Sequence, residues 1–124
     1  MAKKIATKPE GQISSAKLSH VRLGPQRARL VVDLIRGKHV AEALDILKNS
    51  DKKTAPILRK LIWSAISNAK TTASVDIDEL FIKRAWVDEG RTLRRSLPRA
   101  QGRATPIRKR HSTITVVLDE IGGV

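Results

Sequence analysis

The sequence predicts an α+β protein, and three observations predict it. Apolar residues recur at helical spacing in three stretches between Pro25 and Lys70, strand-like runs lie before and after them, and a strongly basic segment joins the last two strands. At 124 residues the chain has the usual size of one domain, with one small core.

Residues 1–12 carry Lys3, Lys4, Lys8, Pro9 and Gly11 with little to bury, and read as a flexible N-terminal tail. From Ile13 to Leu23, Ala16 and Leu18 alternate with Ser15, Lys17 and Ser19, which suits a half-buried strand. Gly24-Pro25 then opens a helix, because proline at the first position forfeits only an N–H that has no intrahelical partner. Leu30, Val31, Leu34 and Ile35 are expected on its buried face, with Arg29, Asp33 and Arg36 turned away and Gly37 as its stop. Val40, Ala43, Leu44 and Leu47 form a second, short helix that ends at Asn49-Ser50-Asp51. The third and longest starts near Thr54, a good N-cap, tolerates Pro56 in its first turn and runs to about Lys70 along Leu58, Ile62, Ala65, Ile66 and Ala69. Trp63 lies off this stripe and is expected to pack at its margin rather than to stack on a base.

Leu80 to Val87 is rich in β-branched and aromatic residues over a strand-length run, and Ile114, Val116 and Leu118 alternate with Thr113, Thr115 and Val117. Between these strands stands Arg-Thr-Leu-Arg-Arg-Ser-Leu-Pro-Arg-Ala-Gln-Gly-Arg-Ala-Thr-Pro-Ile-Arg-Lys-Arg-His, residues 91–111. If both strands continue into it and reverse near Ala100-Gln101-Gly102, they form a probe reaching roughly 30 Å beyond the body at about 3.3 Å per residue. A two-stranded ribbon is marginal in water, so it is expected to be mobile in the free protein and fixed by its partner.

The charge identifies the partner class. Lys and Arg number 25 against 12 Asp and Glu, a formal +13, and eight of the cations lie in residues 91–111. No acidic residue stands between Glu89 and Asp119. Such a field repels itself unless a polyanion shares it, which points to nucleic acid. Seven of these eight are arginine, whose planar fork grips phosphate in a bidentate manner and stacks on bases.

Other chemistries lose their residues. With no cysteine there is no disulfide, thiolate zinc site or cysteine nucleophile, and His20, His39 and His111 have no metal-ligand spacing, so no metal or cofactor is expected. The start lacks an apolar signal region and no apolar run is long enough to cross a bilayer, so the chain is expected to stay soluble and intracellular, with no membrane partner. Asp76, Asp78 and Glu79 are the only acidic cluster and read as turn and capping residues, so no catalytic residue is assigned and an enzyme is not expected. A helix-turn-helix DNA binder would concentrate its base-reading side chains on one helix, whereas here Pro98, Gly102 and Pro106 punctuate the basic segment, and DNA is not expected.

The run Arg94-Arg95-Ser96-Leu97-Pro98-Arg99-Ala100-Gln101-Gly102-Arg103-Ala104, followed by Ile107-Arg108-Lys109-Arg110, resembles the hairpin motif of the uL22 family, the bacterial-type large-subunit ribosomal proteins. Arg27-Ala28-Arg29-Leu30-Val31 through Asp33-Leu34-Ile35-Arg36-Gly37-Lys38 resembles that family's first helix, and Ser64-Ala65 with Asn68-Ala69 its third. Lys70, where an acidic residue is common, and His111-Ser112-Thr113, in place of a frequent Ser-His pair, depart from the pattern.

The resemblance implies three helices packed on a small antiparallel sheet with a long protruding β-hairpin. It assigns residues 13–124 to a single domain, with the hairpin at about 88–113. It also implies large-subunit ribosomal RNA, neighbouring ribosomal proteins and the nascent peptide in the exit tunnel as partners. The RNA contacts it implies are Arg91, Arg94, Arg95, Arg99, Arg103, Arg108, Lys109 and Arg110, with Pro98, Ala100, Gln101 and Gly102 at the tip. Lys17, His20, Arg22, Arg27 and Arg29 form a second candidate patch on the body.

Overall fold

The structure, a computed structural model, describes residues 13–73 and 76–120; the expected tail at 1–12 and the last four residues lie outside the described part. In chain order the elements are β1 (Ser14–Val21), α1 (Pro25–Ile35), α2 (Val40–Lys48), α3 (Thr54–Ala73), β2 (Leu80–Pro98) and β3 (Ala104–Glu120), with single 3-10 turns at Ile77–Glu79 and Ala100–Gly102. The strands pair antiparallel in the order β1-β3-β2, which gives the α+β class expected from the sequence.

β3 is the shared centre of the sheet. Ser14 to Leu18 pair with Leu118 to Ile114 on one side, and Leu80 to Glu89 pair with Glu120 to Ser112 on the other. Alternation along β3 sends Ile114, Val116 and Leu118 to the helical face, where all three are fully buried with Ile82 and Leu80. α3 crosses β1 and β3, α1 lies along β2, and α2 packs mainly on α3. A register shift between Ile82 and Arg84 keeps both Ile82 and Ala85 facing inward, since the extra residue resets the alternation.

α1 is rotated from the face expected: Val31 and Ile35 are buried as expected, but Ala28 and Val32 complete the stripe in place of Leu30 and Leu34. Ala28, Val31, Val32 and Ile35 are buried, whereas Leu30 is 63% and Leu34 51% exposed. Both stripes have helical spacing, so periodicity alone ranks the one with two leucines first. The structure turns the helix instead so that Arg29 and Arg36 face β2. Arg29 donates from Nε and Nη2 to the Val87 carbonyl at 3.2 and 3.1 Å, and Arg36 does the same to Ala85 at 3.1 and 2.9 Å.

In α3, Thr54 lies inside the first turn rather than before it, and the helix runs three residues past Lys70 to Ala73. Trp63 lies off the buried stripe and is 48% exposed. The buried stripe of Leu58, Ile62, Ala65, Ile66 and Ala69 is as expected.

The face of α1 can be checked by denaturation of the full chain. Ile35→Ala should cost about 2–5 kcal/mol, as for other fully buried aliphatic truncations, while Leu34→Ala should stay within about 0.5 kcal/mol of the parent. Equal losses at the two positions would restore the stripe expected from periodicity.

Candidate nucleic-acid interface

Beyond Ser112, where β1 pairing ends, β2 and β3 continue alone as a ribbon. Each arm has about nine residues, or roughly 30 Å at about 3.3 Å per residue. Thr92 faces Arg110, Arg94 faces Arg108 and Ser96 faces Pro106 on one side; Leu93 faces Lys109, Arg95 faces Ile107 and Leu97 faces Thr105 on the other. Directly paired residues share a face, so the ribbon has one side dominated by Arg94, Arg108 and Arg110 and another that mixes Leu93, Leu97 and Ile107 with Arg95 and Lys109.

A like-charged pair set directly opposite destabilises a sheet. Arg94 and Arg108 are such a pair, and both are exposed with no carboxylate anywhere along the ribbon. The side chains that do find partners bond within the ribbon: Arg95 Nη1 donates to the Arg94 carbonyl at 2.8 Å and Arg99 Nε to Thr105 Oγ1 at 3.2 Å.

The tip closes between Arg99 and Arg103, whose backbones hydrogen-bond at 2.6 Å. Gln101 and Gly102 both take left-handed conformations there, with φ of 63° and 72°. Glycine adopts this region freely and glutamine rarely does, so the tip is strained at Gln101. Pro98 and Ala104 end the paired arms, and Pro98, Ala100, Gln101 and Gly102 are all exposed.

At the root, pairing slips between Glu89 and Thr92. Gly90 lies in this slip, and a Cβ there would stand 3.1 Å from the carbonyl carbon and oxygen of His111. The His111 ring Nδ1 is 2.9 Å from the Arg91 carbonyl, a bond it makes as donor. Gly90 is therefore where the ribbon leaves the body, and it was not singled out from the sequence. An isolated glycine inside a strand pattern, the usual mark of a bulge or close backbone approach, is the signal that identifies it.

The five candidate residues of the body do not form one patch. Lys17 and His20 line a shallow groove between β1 and α3 with Lys60, over Leu18, Val21, Ile57 and Leu61. His20 is exposed with φ of 59°, at the register shift between Leu18 and Val21. Arg22, Arg27 and Arg29 instead surround the start of α1. Arg22 Nη1 donates to the Arg110 carbonyl at 3.1 Å and Arg29 holds Val87, while Arg27 lines a cavity of about 730 Å³ with Arg22, Lys52 and Lys53. Lys52 and Lys53 reach this cavity from the segment before α3, and only the fold brings them there.

Asp76, Asp78 and Glu79 sit in an exposed 3-10 turn. A side-chain hydrogen bond that the protonated Glu79 carboxyl donates to Glu120, and then the charge of Glu120, raise the Glu79 carboxyl above its ordinary value. No group of His, Asp and Glu suited to a metal ion occurs among the described residues, and none of the described helices is long and apolar enough to cross a membrane.

The family model for ribosomal protein L22p/L17e matches residues 16–119. The large ribosomal subunit protein uL22 of Syntrophotalea carbinolica is 54% identical over 107 residues, covering 86% of this chain and 97% of that protein. That of Bdellovibrio bacteriovorus is 51% identical over 105 residues, 85% and 96% of the two chains, and that of Citrifermentans bemidjiense 52% over 107, 86% and 96%.

The ribbon's dependence on a partner is measurable by hydrogen exchange on the isolated protein. Amides of residues 92–97, 104, 105 and 107–110 should exchange rapidly while those of Ile114 to Leu118 stay protected. Protection as strong in the ribbon as in the body would show that the arms hold each other without help.

Proposed function

This chain belongs to the ribosomal protein L22p/L17e family, and from that premise we propose that it binds large-subunit ribosomal RNA, aids folding of that RNA during assembly, and lines the nascent-peptide exit tunnel with its hairpin. The family is one of structural proteins of the large ribosomal subunit and not of enzymes.

The observation that carries the reading is the placement of Arg94 opposite Arg108 on a ribbon that contains no acidic residue. In isolation such a pair destabilises the ribbon, and RNA phosphate turns that repulsion into binding. Arg91, Arg94, Arg95, Arg99, Arg103, Arg108, Lys109 and Arg110 are the contacts, each exposed along the arms or tip. Arginine suits the role because its fork engages a phosphate through two bonds and fixes direction as well as charge.

The ribbon has no core of its own, so its order comes from the RNA walls it enters. Arg94, Arg108 and Arg110 meet phosphate on one side, while on the other Arg95 and Lys109 reach RNA beside Leu93, Leu97 and Ile107, which offer apolar surface to neighbouring ribosomal proteins or the nascent peptide. The ribosome that holds the protein is cytoplasmic. DNA is not a partner in this reading, which follows from the family's place in the large ribosomal subunit.

Sedimentation of the tagged protein from lysate at lowered magnesium tests the reading. The protein should migrate with the large subunit, and an Arg94→Ala, Arg95→Ala, Arg99→Ala triple variant should incorporate less well with its body still folded by circular dichroism. Recovery of the parent protein only at the top of the gradient, or with DNA, contradicts the proposal. Unchanged incorporation and translation with the triple variant would remove the hairpin from its role.

A further inference from the structure

We propose that the groove between β1 and the first half of α3 is a docking site for a short, extended, acidic segment of another protein, which adds a strand to the open edge of β1. The inference does not rest on the RNA-binding reading. It concerns the opposite edge of the sheet from β2 and a partner of different chemistry.

The register shows which way the β1 backbone points. Arg36 and Arg29 take the Ala85 and Val87 carbonyls at the outer edge of β2, so the N–H and C=O groups of Arg84, Trp86 and Asp88 point inward to their β3 partners Val117, Thr115 and Thr113. Alternation then turns Val116 and Ile114 towards β1, where they pair with Ala16 and Leu18. Ser15 and Lys17 are left facing out of the sheet. The Ser15 carbonyl accepts from Asn68 Nδ2 at 3.1 Å, which agrees with this direction and closes the edge at that point. Among the described residues none bonds the Lys17 backbone on the outer side, so its N–H and C=O are open to a further strand. The register shift between Leu18 and Val21, with His20 at φ of 59°, ends this open stretch. A bulge there limits the edge to a short segment and prevents an open-ended stack of strands.

The groove beside this edge has a volume of about 450 Å³ and a floor of Leu18, Val21, Ile57 and Leu61. Lys17 and Lys60 stand on its rim with His20, and no acidic residue lines it. The whole of α3 carries no carboxylate to balance them. An added strand presents side chains alternately to the two faces of the sheet, so aliphatic residues at every second position can fill the floor. Acidic residues beside them meet the two lysines. RNA is the poorer occupant, because the floor offers no aromatic ring or guanidinium for a base to stack on. Lysine also lacks the bidentate fork that the hairpin arginines present to phosphate. A second copy of this chain, with its formal charge of +13, would bring like charge against the rim.

The test selects octapeptides from a random library on the full-length protein. Selected peptides should alternate aliphatic with acidic residues. Bound peptide should shift the amide resonances of Lys17 to Val21 and of Ile57 to Ser64, and should slow exchange of the Lys17 amide. Lys17 and Lys60 are exposed, so Lys17→Glu with Lys60→Glu should fold normally and bind roughly tenfold more weakly. Lys48→Glu with Lys70→Glu has the same net charge but alters exposed lysines outside the groove, and should stay within about twofold of the parent. N-methylation of the peptide's central amides keeps its charge and removes the strand bonds, and should abolish binding. Selection of no acidic, alternating sequence overturns the proposal, as do shifts confined to the hairpin or equal losses in the two charge-reversed variants. Shifts of the groove residues produced by a single-stranded RNA oligonucleotide and by no peptide would assign the groove to RNA and overturn it too.

Discussion

The structure depends on how the edge strand β2 is closed. The same strand must serve as a buried edge within the body and as one arm of a free ribbon beyond it, and an edge left open along its whole length would pair with other chains. Over the body, every device points to α1 and the turn after it. Gly37 N donates to the Ile82 carbonyl and Ile82 N to the Lys38 carbonyl, both at 2.9 Å, so the α1–α2 link adds a fragment of strand to the edge. Further along, Arg36 and Arg29 take the Ala85 and Val87 carbonyls. Sealing stops at Val87, just before the slip at Gly90 that releases the ribbon. At the opposite edge of the sheet, Asn68 Nδ2 donates to the Ser15 carbonyl at 3.1 Å, so α3 does at the start of β1 what α1 does for β2.

This arrangement explains why two arginines of the first helix are not equivalent to their neighbour. Arg29 and Arg36 are seven residues apart, two turns, and so lie on one side of α1 in register with alternate carbonyls of β2. Arg27 lies on another side and lines the cavity that Lys52 and Lys53 reach. Charge on the body is thereby divided between structural cations held by the sheet edge and cations that remain available to an anion. Replacing Arg29 or Arg36 removes a bidentate contact to backbone as well as a positive charge, so loss of binding in such variants is not evidence of direct RNA contact.

Much of the fold is legible in the sequence because its elements carry strong local signals. Pro25 and Gly37 delimit the first helix, the stripe from Leu58 to Ala69 defines the third, and alternation from Thr113 to Leu118 marks the central strand. What escapes is long-range. Leu30 and Leu34 look like core residues until the arginine contacts to β2 fix the rotation of α1, because a helix with apolar residues on two faces does not reveal which one is docked. The anion-binding role of the segment was legible from eight cations set between two strands, and its hairpin form from those strands continuing into it and from the family resemblance. Lys52 and Lys53 were not, because an exposed lysine pair before a helix is ordinary until the fold sets Arg22 and Arg27 beside it. His20 and Gln101 are further cases: their left-handed backbone is imposed by a register shift and a tight tip, not by residue preference.

The ribbon and the body thus divide one task by physical means. Within the body, burial of Ile114, Val116 and Leu118 against the helices supplies stability that owes nothing to charge. In the ribbon the same strand continues as Ile107-Arg108-Lys109-Arg110, with no layer above it to bury an apolar face. Its pairing must therefore be held at the root, by the close approach of the Gly90 and His111 backbones, the His111 contact to Arg91 and the Arg22 contact to Arg110. These three features lie at the junction between the part that folds by excluding water and the part whose order comes from meeting an anion. They also transmit the position of α1 to the ribbon, because Arg22 stands just before the turn that opens that helix. A hairpin anchored in this way keeps its direction fixed at the base while its arms adapt to the surface they enter.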